Sequence, residues 1–166
     1  QTAVGHIYAI GDCIRTPQLA HVASAEGLLA ARHLAGREVF PINYRNIPSC
    51  TYSAPQVAST GRTERQAVEE GRTVKVGKFP FSALGKARIE DFTEGFVKVV
   101  TDAGTGEVLG VHMIGAIATE HVSEWVLAIN LECTAEEGAA AIHPHPTLSE
   151  ALMEAAHAAQ DQAIHL

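Results

Sequence analysis

At 166 residues the chain is long enough for one domain with a full core, or one domain plus part of another, and short for two complete domains. Hydrophobic residues make up 46% and charged residues 19%, the balance of a globular protein, and no apolar run approaches the ~20 residues of a membrane span, so membrane insertion is excluded as an expectation. Twelve basic against nineteen acidic residues leave a net charge of -7, with no Lys/Arg stripe to track a phosphate backbone, so nucleic acid is not an expected partner.

The first apolar run, residues 6–10, stops at Gly11-Asp12 in the way a buried parallel strand stops at its carboxyl end. After the Thr16-Pro17 break, Leu19, Val22, Ala23, Leu29, Ala30 and Leu34 recur at helical spacing, and Gly36 is a plausible stop. Residues 37–49 then lose all periodicity and carry Pro41, Asn43, Asn46 and Pro48, the composition of a connection between domains. The boundary is placed there, giving segments 1–40 and 41–166.

Beyond it, residues 49–53 and 56–60 read as short strands. Thr63 caps a short helix that ends near Gly71. Strand signals follow at 73–79, 95–101 and 107–114, the last two joined by Asp102-Ala103-Gly104-Thr105-Gly106, which is rich in hairpin residues. An antiparallel sheet is the expected product. The final third reads as helical: Ile117, His121, Val122, Trp125, Ala128 and Ile129 share one face. After Pro146, Leu148, Ala151, Leu152, Ala155, Ala156 and Ala159 share another. That second stripe is narrow and built of small residues, which predicts close packing.

Cys13, Cys50 and Cys133 are far apart and form no Cys-x-x-Cys or zinc spacing, which suits a reducing, intracellular setting. The opening Gln-Thr-Ala-Val-Gly-His has neither an initiator Met nor the layout of a signal peptide, so the sequence is expected to continue upstream.

Residues 142–150, Ile-His-Pro-His-Pro-Thr-Leu-Ser-Glu, carry the most chemistry. Histidine both accepts and donates a proton near neutral pH, and such a base needs a carboxylate on one ring nitrogen to set its tautomer and favour its charged form. His145 stands between Pro144 and Pro146, which restrict its backbone, and Glu150 lies on the first turn of the following helix. Two other readings stay open. Thr147-Leu148-Ser149-Glu150 fits a capping box, in which the carboxylate only returns to the backbone. His143-x-His145 could offer two imidazoles to zinc, but no third ligand stands nearby and no metal is expected.

The run His145-Pro146-Thr147-Leu148-Ser149-Glu150 resembles the active-site signature of the flavin-dependent pyridine nucleotide-disulfide oxidoreductases. Leu148 is more similar to the dihydrolipoamide dehydrogenase branch than to the glutathione reductase branch. Residues 52–58, 76–81, 95–99 and 108–112 resemble that family's interface domain, in order and at the expected separations. Residues 7–12, with Leu19-Ala20-His21 and Glu26-Gly27, resemble its second flavin-binding stretch.

The resemblance implies an α+β fold: an antiparallel sheet flanked by helices forms the dimerisation (interface) domain, residues 41–166, preceded by a strand-helix remnant of the FAD-binding domain, residues 1–40. It implies FAD at Asp12 and at the helix start, Gln18, Leu19, Ala20 and His21. An Asp at a strand end suits ribityl hydroxyls, and a positive helix end suits charge on a reduced flavin. For Gly11-Asp12 alone, an ordinary turn is the competing reading.

The intact enzyme that the resemblance implies is a homodimer. It oxidises the dihydrolipoamide carried by the lipoyl domain of 2-oxo acid dehydrogenase complexes through a cysteine disulfide and FAD, and passes the electrons to NAD. His145 is then its base, oriented by Glu150 and facing the other subunit's disulfide. The compartment implied is the bacterial cytoplasm or the mitochondrial matrix. The family's Cys-x4-Cys pair and Gly-x-Gly-x-x-Gly loops are absent from these residues, so the chain alone is expected to be inactive. Gln56, Pro144 and Glu132-Cys133 depart from common family residues. Two rivals remain: another flavin reductase of glutathione, trypanothione or mercuric type, and a non-catalytic dimerisation module.

Overall fold

Val97 and Val99 alternate with Lys98 and Val100 along one strand, so a single segment presents apolar side chains to two faces of a sheet. The computed structural model describes all 166 residues. It falls into two units, Gln1–Ile47 and Pro48–Leu166.

The second unit holds β1 (Ser49–Thr51), β2 (Gln56–Gly61), β3 (Val74–Pro80), β4 (Phe96–Asp102) and β5 (Val108–Gly115). They form one sheet in the order β1-β2-β5-β4-β3, with every pairing antiparallel. Two short helices, α2 (Glu64–Glu69) and α3 (Gly85–Ile89), interrupt the strands. Three more close the chain: α4 (Ala118–Asn130), α5 (Ala135–Ala140) and α6 (Glu150–Ala158). The fold is therefore α+β, an antiparallel sheet with helices against it. No helix is long and apolar enough to cross a membrane.

The main core gathers Ala58, Phe79, Val97, Val99, Val111 and Met113 from the strands with Val122 and Trp125 of α4, Ala139 of α5, and Leu152, Ala155 and Ala156 of α6. A smaller cluster of Val100, Leu109 and Ala67, with Val74 against it, forms under α2. A bulge makes both possible. Val100 pairs with Gly110 and Thr101 with Val108, leaving Leu109 as the extra residue on β5. Val108 and Val111 therefore both reach the main core although three residues apart, while Leu109 reaches the smaller one.

Local chemistry closes the turns as expected. Thr63 and Gln66 form a full capping box on α2. In the β4–β5 hairpin the Asp102 carboxylate accepts the amides of Gly104 at 2.9 Å and Thr105 at 3.0 Å, and Gly106 takes a φ of 77° that glycine tolerates without steric cost. The small-residue stripe of α6 lies directly on β3. A side chain on Gly77 would come within 2.0 Å of the Ala155 carbonyl oxygen, so only a glycine admits the helix there.

The first unit contains α1 (Ala20–Leu34), preceded by a 3-10 turn at Gly11–Cys13. The expected helix stop at Gly36 is present, with φ of 65°. Residues 6–10, expected as a strand, join no ladder. A parallel strand draws its hydrogen bonds from neighbours on either side, and no segment of Gln1–Ile47 runs alongside it. Helices α3 and α5 were not expected from periodicity, each being too short to show it.

Candidate functional site

Six residues, Ala141 to Pro146, carry the chain from α5 to Thr147 and the start of α6. Leu148 is 5% exposed and Ala151 and Leu152 are fully buried, so apolar burial seats the first turn of α6 against the core and sets where Glu150 stands. Its side chain is 15% exposed, whereas that of His145 is 80% exposed.

The two expected site residues meet. His145 Nδ1 lies 2.8 Å from Glu150 Oε1, while Glu150 Oε2 accepts the Thr147 amide at 2.8 Å. The return arm of the capping box and the histidine contact are thus not alternatives, since each takes one oxygen of the same carboxylate. The other arm of the box is missing. Thr147 Oγ1 donates to the Pro144 carbonyl at 2.7 Å and does not cap the helix, and no side chain caps α6. Burial alone would raise the Glu150 carboxyl, but the Thr147 amide and the His145 ring outweigh it and hold it below the usual carboxylate range.

An ionised carboxylate only accepts, so the hydrogen of this pair sits on His145 Nδ1. The lone pair of the neutral ring is therefore on Nε2, in an exposed side chain. Such a ring can take a proton from a group presented to it, and Glu150 stabilises the imidazolium that results.

His143, two residues earlier, makes a different arrangement. Its side chain is 7% exposed, with Nε2 2.9 Å from Glu124 Oε1 on α4 and Nδ1 2.9 Å from the Ala141 carbonyl oxygen. The bond to Glu124 raises its pKa, against the effect of burial. With both nitrogens facing oxygen acceptors, His143 has no lone pair to offer a metal. Its partner was not legible in the sequence, because Glu124 lies nineteen positions away on another helix.

In the first unit, Asp12 sits exposed in the 3-10 turn, and Gln18, Ala20 and His21 are exposed around the start of α1, with Leu19 half-buried. No side chain caps that helix start. Glu26, buried on α1, ties the turn to the helix: its carboxylate accepts the Gly11 amide at 2.6 Å and the Tyr44 hydroxyl at 2.8 Å. The Gly11 amide holds its pKa below the ordinary value. Gly11 adopts a φ of 69°, and a side chain there would press on Ala23 at 3.2 Å. An exposed carboxylate and an uncapped helix start, braced by Glu26, fit one portion of a flavin: a hydroxylated chain and an anionic edge. Glu26, which the sequence offered only as part of a motif, is the residue that braces this turn.

Comparison with known proteins shows the family. Residues 47–156 match the dimerisation domain of the pyridine nucleotide-disulphide oxidoreductases. The chain is similar to a dihydrolipoyl dehydrogenase of Bacillus subtilis, 53% identical over 99% of this chain and 35% of that protein. It is likewise similar to one of Zymomonas mobilis, 50% identical over 99% of this chain and 36% of that protein, and to a mitochondrial one of Arabidopsis thaliana, 44% identical over 99% and 32%. The chain thus spans about a third of the length of the relatives it matches. Among solved structures, LpdA of Mycobacterium tuberculosis superposes with a TM-score of 0.85 at 29% identity, over 91% of this chain and 33% of that one. The flavoprotein disulfide reductase RclA of Escherichia coli shares the fold, with a TM-score of 0.81 at 24% identity over 88% and 34%.

Proposed function

The chain belongs to the dimerisation-domain family of the pyridine nucleotide-disulphide oxidoreductases, and from that premise we propose that it is the C-terminal part of a dihydrolipoyl dehydrogenase, contributing the acid-base pair His145 and Glu150 and the homodimer interface. The observation that carries this reading is the 2.8 Å contact between His145 Nδ1 and Glu150 Oε1, which leaves Nε2 of an exposed ring to exchange protons. The similarity to dihydrolipoyl dehydrogenases over nearly the whole chain supports the substrate: the dihydrolipoamide of a lipoyl domain, serving a 2-oxo acid dehydrogenase complex.

A thiolate attacks a disulfide and a thiol does not. His145 Nε2 takes the proton of one substrate thiol. The resulting thiolate attacks a cysteine disulfide, and Glu150 favours the imidazolium while that proton is held. The disulfide must come from a Cys-x4-Cys pair outside these residues, presented by the other subunit, so the chain alone is inactive. FAD, when bound, supplies the two-electron relay from that dithiol to NAD. Asp12 and the start of α1, from Gln18 to His21, would hold the ribityl chain and the flavin edge, with Glu26 bracing the turn. The three free cysteines suit a reducing compartment, the bacterial cytoplasm or the mitochondrial matrix.

The test is His145→Gln in the complete flavoenzyme that carries this segment. Dihydrolipoamide oxidation should fall by about 10²–10⁴-fold, the usual contribution of a positioned base, with FAD still bound. Near-normal turnover overturns the assignment.

A further inference from the structure

His145 is a poorly restrained base. Its side chain is 80% exposed, and the Glu150 carboxylate holds it through a hydrogen bond at Nδ1. Where Nε2 points is then set by the backbone beneath it, which belongs to the connection between α5 and α6. A connection of this kind drifts unless something ties it down, and small misplacements of a reacting group lower rates severely.

That tie is His143. Its ring bridges the Ala141 carbonyl, at the end of α5, and Glu124 on α4, both at 2.9 Å. Neither acceptor oxygen can donate, so both ring nitrogens carry hydrogens and the ring is an imidazolium. Bonds to charged partners are shorter and about twice as strong as neutral ones. Only Pro144 separates this anchor from His145, and its ring removes a backbone torsion between the two. Thr147 Oγ1 adds a third tie by donating to the Pro144 carbonyl at 2.7 Å.

We propose that His143, held as an imidazolium between Ala141 and Glu124, is a positioning residue for His145, stapling the α5–α6 connection to α4 so that the His145 ring is presented at a fixed place. This rests on the reading of His145 as the base. The charged groups around His143 agree with it. Glu124 on α4 and Glu150 on α6 both favour the positive ring. His121 on α4 opposes it only when protonated, and burial lowers the pKa of His121. The folded-state pKa of His143 is raised, so the staple is intact below its ordinary value of 6.5 and is lost as pH rises through the raised value.

The experiment compares wild type, His143→Gln, Glu124→Gln and His145→Gln in the complete flavoenzyme, with the ring-nitrogen NMR shifts of wild type measured alongside in the 166-residue chain. Both staple variants should lower kcat for dihydrolipoamide oxidation by roughly tenfold to a hundredfold, with bound FAD and Tm close to wild type. Wild type should lose kcat on the alkaline side with the titration of His143, and His143→Gln should lack that limb. The NMR spectrum should show both His143 nitrogens protonated at neutral pH. Unchanged kcat and pH profile in His143→Gln, beside a collapse in His145→Gln, overturns the positioning role and leaves the base reading standing. Normal turnover in His145→Gln overturns the base reading itself. A singly protonated His143 ring in wild type overturns the staple even where the variants do not fold.

Discussion

Unit 2 encloses its own core and unit 1 does not. Of the fully buried apolar residues only Val22 lies in unit 1, whereas the rest, Trp125, Phe79 and the paired valines of β4 among them, belong to unit 2. In unit 1, Phe40 is 74% and Leu28 69% exposed, and a cleft of about 340 Å³ opens between residues 8–10 and α1, lined by Tyr8, Ile10, Leu29 and His33. The contrast follows from geometry. An antiparallel sheet covered by α4, α5 and α6 on one face and by α2 on the other is closed by its own chain, while a helix beside one extended segment has no second layer. His145 and Glu150 sit in the unit that encloses its own core, the kind of support that the proposed proton carrier needs.

The largest test of this contrast is a deletion at the centre of each core. Trp125 is 2% exposed in the main cluster, and Trp125→Ala should lower stability by about 3–5 kcal/mol by chemical denaturation. Val22→Ala, in the unit without an enclosed core, should change it far less. Equal losses would break the comparison. Next comes Gly77→Ala, which places a methyl group against the backbone of α6. Overpacking of this kind costs about 1–3 kcal/mol. Since α6 carries Glu150, the His145–Glu150 contact should weaken with it, read as changed His145 ring-nitrogen chemical shifts by NMR. A neutral outcome would mean that α6 slides freely over β3.

The smallest effect concerns pH. The folded-state pKa of Glu150 is lowered, so its contribution is present above the ordinary carboxylate value and is lost as pH falls through the lowered one. Glu150→Gln should therefore be less stable than wild type by about 1 kcal/mol at neutral pH, and the gap should close as pH is taken below about 4.5. A gap that persists in acid would assign the effect to shape and not to charge.

Much of unit 2 was legible from pattern. Strand signals located β4 and β5, Asp102 to Gly106 announced their hairpin, and Thr63 announced the start of α2. The Ala-rich stripe after Pro146 predicted a close-packed helix, and Gly77 is what it packs against. Helix α5 was missed although Thr134 and Glu137 carry a complete capping box. Six residues give too little periodicity, and the cap alone was the available signal. The strand expected at residues 6–10 was read from an apolar run, which records that a segment is fit to be buried but not whether neighbours are there to bury it.

For the site, sequence by itself determined which residues could do the chemistry: a histidine between two prolines and a carboxylate five positions on, placed by the helix start. Local constraints act over a few residues, so pattern can capture them. Only the tertiary structure decided that Glu150 divides its two oxygens between the His145 ring and the Thr147 amide, and that His143 turns away to Glu124. The first turns on how the few residues before α6 fold back on its first turn, and the second on how α4 lies beside the α5–α6 connection, which is packing between segments nineteen positions apart.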